Sequence, residues 1–127
     1  MRYIVSASLV LVGLLHLLPV TGVLGVERLA TLYGVHVGDP STEILMRHRA
    51  VLFALLGAAM LAAAFTPAWQ PLALLAGVAS VLSFLVLAWW VPGYSPQVAR
   101  VVAADAVALV LLVLGSAAWV LSKPPDG

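Results

Sequence analysis

Apolar residues in this chain do not alternate with polar ones at a short period. They run in four long blocks, Tyr3 to about Val20, about Met46 to Phe65, Pro71 to Val91, and about Val101 to Leu121. A hydrocarbon layer about 30 Å thick takes about 20 helical residues to cross, and each block has that length. The joints are punctuated. Thr66-Pro67-Ala68-Trp69-Gln70-Pro71 makes a tight turn, and Pro92-Gly93-Tyr94-Ser95-Pro96 a second. Asp39-Pro40 and Ser95-Pro96 read as N-caps followed by proline in the first helical turn. The second helix therefore starts a turn or two before the bilayer. Only the connection from Gly22 to Gly38 is long, and a short interfacial helix on Leu24, Leu29 and Leu32 is expected within it. The pattern predicts an all-α, integral membrane four-helix up-down bundle, one domain over residues 1–127, with both termini on one side. Met1-Arg2 before an apolar stretch also has the form of a signal peptide, but no small-x-small cleavage site follows, so the first span is expected to stay.

Composition agrees with the pattern. The 127 residues are 64% hydrophobic and 9% charged, against about 45–50% apolar in soluble domains. A net charge of +1 without a basic stripe gives no nucleic-acid surface. With no cysteine, disulfides, thiol chemistry and thiolate metal sites are excluded. His16, His36 and His48 have no i, i+4 partner, so no metal site is expected. No P-loop, dinucleotide fingerprint or nucleophile elbow occurs, and no cofactor is implied.

The polar residues are distributed unevenly. Up-down threading brings His16, Glu27, Arg28, Glu43, Arg47, His48, Arg49, Trp89, Trp90, Tyr94, Arg100 and Asp105 to one end. The other end holds only Arg2, Tyr3, Trp69, Lys123 and Asp126. At 1.5 Å per residue, Asp105 falls about 5 Å and His16 about 10 Å inside the hydrocarbon boundary. An ionised carboxylate at that depth needs an interior position and a partner. Ala50, Ala54, Ala58 and Ala62 form a small-residue stripe on the second helix, and Arg47 continues it, with Glu43 one turn earlier. Arg47 is therefore the expected inward arginine and partner of Asp105. Arg49, on the face of Phe53, Leu56 and Met60, is expected to reach headgroups. Asp105 shares its face with Leu109, Leu112 and Ser116, while Ala76, Ser80, Ser83, Leu87 and Trp90 align on the third span. These faces would close a small pocket with His16 at its floor.

Plainer roles stand beside these. Interfacial Trp and Arg are usually anchors, His16 could bond a carbonyl freed by Pro19, and an Asp105–Arg47 pair could simply lock two helices. Arg28, Arg47, Arg49 and Arg100 against Arg2 and Lys123 favour a cytoplasmic polar end. Setting Arg47 and Arg49 aside as pocket residues leaves two cations on each side, and orientation stays open.

The segments "GLLHLLP", "LYGVHVGDP" and "ILMRHRAVLFALLGA" resemble small bacterial four-helix inner-membrane proteins, similar in layout to the DoxX-like group. That resemblance implies a multi-pass protein of the cell inner membrane, serving as an accessory subunit of respiratory-type or redox-stress complexes. Three functions are carried forward. The first is an accessory or interaction protein binding membrane lipid, a lipid-soluble small molecule, a larger membrane subunit or a further copy of itself. It would do so through Arg47, His48, Arg49, Glu43, Trp90, Tyr94 and Ser83. The second is a membrane enzyme for isomerisation, cyclisation or epoxide opening, with Asp105 and His16 as proton carriers and Arg47 stabilising an oxyanion. The third is a small transporter or proton pathway.

Overall fold

The computed structural model describes residues 2–123; Asp126 lies outside the described residues. Five α-helices follow in order: α1 (Arg2–Leu17), α2 (Val26–Tyr33), α3 (Pro40–Ala64), α4 (Gln70–Trp90) and α5 (Pro96–Leu121). Short 3-10 segments, Leu18–Leu24 and Pro67–Trp69, follow α1 and precede α4. Four stretches are long and apolar enough to cross a membrane, Arg2–Leu24, Pro40–Ala64, Pro67–Trp90 and Pro96–Leu121. The chain is by this measure a multi-pass membrane protein, built as the predicted four-helix bundle with α2 between the first two spans.

Local chemistry sets the boundaries. Pro19 has no amide hydrogen to continue α1, and the chain tightens into a 3-10 segment from Leu18. Asp39 caps α3 by accepting from the Thr42 amide at 2.9 Å and the Thr42 hydroxyl at 2.7 Å. Ser95 caps α5 by accepting from the Val98 amide at 3.2 Å. At the far end, the Ser6 hydroxyl donates to the Ala64 carbonyl at 2.7 Å, satisfying an acceptor that the end of α3 leaves open. Such satisfaction is compulsory where no water reaches the backbone.

The spans form a closed ring in which α1 packs on α3 and α5, and α4 packs on α5 and α3. Arg2, Phe65, Pro67, Gln70 and Trp119 gather at one end, while His16, Tyr33, Arg49 and Asp105 gather at the other. The core is Val5, Leu9 and Val12 of α1 against Met60, Ala63 and Ala64 of α3, with Leu74, Val81, Ala108 and Leu112 completing it. Large apolar residues such as Leu52, Leu55, Leu72, Leu75 and Val110 face outward.

The packing face of α3 differs from the expected alanine stripe. Ala50 is buried, but Ala58 and Ala62 are exposed, and the interface continues through Gly57, Met60, Ala63 and Ala64. A four-residue spacing advances about 40° per step around a helix, so the stripe winds out of the contact. The seven-residue spacing Ala50, Gly57, Ala64 drifts only about 20° per step and stays in it. At Gly57 the backbones meet, and a Cβ there would lie 2.7 Å from the Gly13 carbonyl oxygen.

Two stability outcomes follow. Gly57→Ala forces the α1 and α3 backbones apart and should cost on the order of 1–3 kcal/mol, as overpacking does. Gly77→Ala meets the side-chain ends of Met60 and Leu112 and should stay within about 1 kcal/mol of wild type, helped by helix propensity. Thermal unfolding in detergent compares them, and equal losses would refute the close-approach assignment. The second outcome concerns Asp39, whose carboxyl the Thr42 amide, then the Thr42 hydroxyl, holds below its ordinary value. A depressed folded value means its stabilisation is full above about pH 4 and fades as pH falls through that lower value. Asp39→Asn keeps a capping oxygen and should flatten this part of the acid-side Tm profile, whereas Asp39→Ala should lower Tm at neutral pH.

Candidate functional site: a cavity at the polar end

The end of α1 with the residues after it, the last turn of α2, Arg49 and Phe53 of α3 and the first three turns of α5 border a cavity of about 290 Å³. Its apolar wall includes Leu15, Leu18, Leu32 and Val101, and its polar groups include His16, Tyr33, Arg49 and Asp105. The roof is α2, with Leu29 fully buried beneath it. Gly34 ends α2 in a left-handed turn, φ +63°, and its amide bonds the Ala30 carbonyl at 2.8 Å. A side chain at Gly34 would be strained, and its Cβ would collide with Gln97 of α5. The Tyr33 carbonyl accepts from the Ser95 hydroxyl. The serine that caps α5 therefore also fastens the roof.

Arg49 is the inward arginine, not Arg47. Its Nη1 donates to the Tyr33 hydroxyl at 2.7 Å, and its guanidinium carbon lies 4.3 Å from the Phe53 ring centre, 5.2 Å from Tyr33 and 5.9 Å from Phe84. Three aromatic faces and a phenol thus hold a cation that lipid would not. Arg47 instead points to the surface, donating to the Val23 carbonyl at 2.8 Å and pairing with Glu43 at 3.2 Å. That is the only ion pair among the described residues, so the expected Asp105–Arg47 pair does not form. The reason is helical phase. At about 100° per residue, Arg49 lies roughly 45° from the centre of the buried α3 face and Arg47 roughly 115°.

His16 lies at the cavity floor as expected, buried, with its ring 5.3 Å from Phe53. Its Nδ1 bonds the Val12 carbonyl at 2.9 Å, one turn back in its own helix and not the carbonyl freed by Pro19. A carbonyl only accepts, so Nδ1 carries the proton, and in the neutral ring Nε2 accepts from the Ser80 hydroxyl at 3.3 Å. Asp105 is half-buried on the cavity wall and, among the described residues, has neither an ion-pair nor a hydrogen-bond partner.

The remaining sequence candidates lie elsewhere. Ser83 is exposed and donates to the Ser80 carbonyl at 2.9 Å; His48, Trp90 and Tyr94 are exposed outside the cavity. The expected α4 face does not close the pocket, because α4 packs through Ala73, Leu74, Gly77 and Val81. It reaches the site through Ser80, which bonds His16, and through Phe84, beside the Arg49 guanidinium. Tyr33 and Gln97 were not anticipated as site residues. A tyrosine directly before the glycine that ends an interfacial helix was the available signal for the first.

Fold and site together define a small multi-pass four-helix membrane protein with a roofed, mainly apolar cavity at one end that carries His16, Tyr33, Arg49 and Asp105. Compared with known proteins, no family model, curated protein or solved structure matches the chain.

The two arginines should differ measurably. A double-mutant cycle of Arg49→Met with Tyr33→Phe should give a coupling near the about 1.5–3 kcal/mol of hydrogen bonds to charged groups. The half-exposed Arg47–Glu43 pair should give no more than about 0.5 kcal/mol in the same measurement. Reversed magnitudes would return Arg47 to the interior.

Proposed function

We propose that this protein binds a neutral, lipid-soluble amphiphile, whose polar head lodges between Arg49 and Asp105 in the roofed cavity. The supporting observation is the unpaired Asp105 carboxylate. An architectural lock would bring the two charges within bonding distance, because an unpaired acid in an apolar wall is costly. Here Arg49 is held on Tyr33 and Phe53 and makes no ion pair with Asp105, although both line one cavity. Between Arg49 and Asp105, with Arg100 at the α5 edge of the cavity, the opposite charges favour a head with no net charge that can both accept from a guanidinium and donate to a carboxylate. A hydroxyl does both. An accessory role beside a larger subunit in the cell inner membrane is in keeping with the sequence's resemblance to the DoxX-like group and with a site this small.

A second reading rests on His16. His16 and Asp105 line one cavity, an arrangement suited to moving a proton across a bound lipid-soluble substrate, as isomerisation or epoxide opening requires, once Nε2 exchanges Ser80 for the substrate. Arg49, not Arg47, would then stabilise developing negative charge.

Native mass spectrometry of the protein released from its own membrane tests the binding reading. A reproducible small adduct should accompany the wild type and Arg47→Met, and disappear from Asp105→Ala and Arg49→Met at unchanged helicity. Adducts that persist in all four would show ordinary surface lipid and remove the cavity from the account. If the small molecule extracted from wild type separates by chromatography into a mixture of isomers while that from His16→Gln is a single one, the catalytic reading gains.

A further inference from the structure

The cavity is too small for a whole lipid. Its volume of about 290 Å³ falls at the bottom of the about 300–1,000 Å³ that ligand sites span. It accommodates a head and a few carbons, and the remainder of an amphiphile must lie outside. Three sides offer no exit for a hydrocarbon chain. The roof is pinned by Tyr33 to Arg49 and Ser95, Phe53 stands over His16 on the α3 side, and the α5 mouth is polar, with Gln97 and Arg100.

The fourth side is different. Leu15 and Leu18 line the cavity and also line a separate groove on the α1–α5 seam, where they are joined by Leu11, Leu14, Val107 and Leu111. That groove holds about 470 Å³ and its six lining side chains are all apolar. It faces outward: Leu14 is 49% and Val107 58% exposed. On α5 the cavity wall at this level includes Ala104, a side chain that leaves room beside Leu15.

Resting on the binding reading above, we infer that the ligand is a single-chain alcohol whose hydrocarbon tail crosses the Leu15–Leu18 ledge and lies in the α1–α5 groove. The ligand docks sideways, from within the bilayer. Lipid tails are as apolar as leucine, so a chain moving from bilayer to groove gains or loses little. Affinity then resides in the head, and the groove decides which molecules can present one. A chain folded wholly into the cavity would be excluded by volume, and a branched or two-chain lipid by the single groove.

Photoreactive hexadecanol tests this with the full chain reconstituted in phospholipid vesicles. One probe carries a diazirine two carbons from the hydroxyl, the other a diazirine at the penultimate carbon. The head-proximal probe should label Leu15, Val101 or Ala104, the terminal probe Leu11, Leu14, Val107 or Leu111, and excess plain hexadecanol should suppress both. Cavity labelling by the first probe with terminal labelling elsewhere would overturn the tail path and leave the binding site standing. Non-competable labelling spread over the lipid-facing surface by both probes would overturn the site as well. Val107→Trp fills the groove from an outward position and spares the core. It should reduce head-proximal labelling about tenfold for the sixteen-carbon probe and leave a four-carbon analogue unchanged; equal labelling of the long probe would overturn the inference.

Discussion

The contact between the Arg49 guanidinium and the Tyr33 hydroxyl is the joint on which the polar end depends. Arg49 is on α3 and Tyr33 on α2, so their bond holds the connecting helix across the top of the ring. Through its carbonyl, the same tyrosine takes the hydroxyl of Ser95, which caps α5. One residue at the end of α2 thus couples it to α3 and to the start of α5. Without it, α2 would rest only on Leu29 and its neighbours, and the cavity would open to the surface. The cation is stabilised by the same geometry. Phe53 lies one turn along from Arg49, so the helix supplies its own aromatic face.

The body of the bundle follows a different constraint. In lipid, burying leucine brings almost no hydrophobic gain, and helices associate by close packing and by satisfying polar groups. The contacts reflect this: glycine against glycine at Gly13 and Gly57, a methionine end filling the notch at Gly77, and a serine hydroxyl on the open carbonyl of Ala64. The bulky aliphatic residues left over face outward.

The spans, the N-caps at Asp39 and Ser95, the short helix between the first two spans and the gathering of polar residues at one end were legible in the sequence. Each rests on a local rule of length, capping or connection. The face of each helix was less so. A span that is apolar all round has no polar side to orient it, and the evenly spaced alanines of α3 suggested a seam that its winding removes. The same blindness put Ser83 and Trp90 of α4 inward, although Gly77 and Val81 form its contact. Asp105 lines the cavity, on the inward side expected of a carboxylate in a bilayer, but the ion-pair partner expected for it is absent among the described residues. Choosing its neighbour required the packing register, which here is set by a glycine pair on two different helices.

A void alone does not make the polar end special. The opposite end holds a larger hollow, about 580 Å³, bordered by Arg2, Tyr3, Phe65 and Trp119. Ser6 and Gln70 there both address the Ala64 carbonyl, and the Ser122 hydroxyl donates to the Trp119 carbonyl at 2.8 Å. No unpartnered acid lines it among the described residues. The smaller cavity, in contrast, holds a half-buried carboxylate without an ion-pair or hydrogen-bond partner among the described residues, together with an arginine fixed in place by other contacts. Interiors tolerate that expense where something else completes the arrangement. Size separates the two hollows in one direction and chemistry in the other, and chemistry is the better guide to where a ligand head belongs.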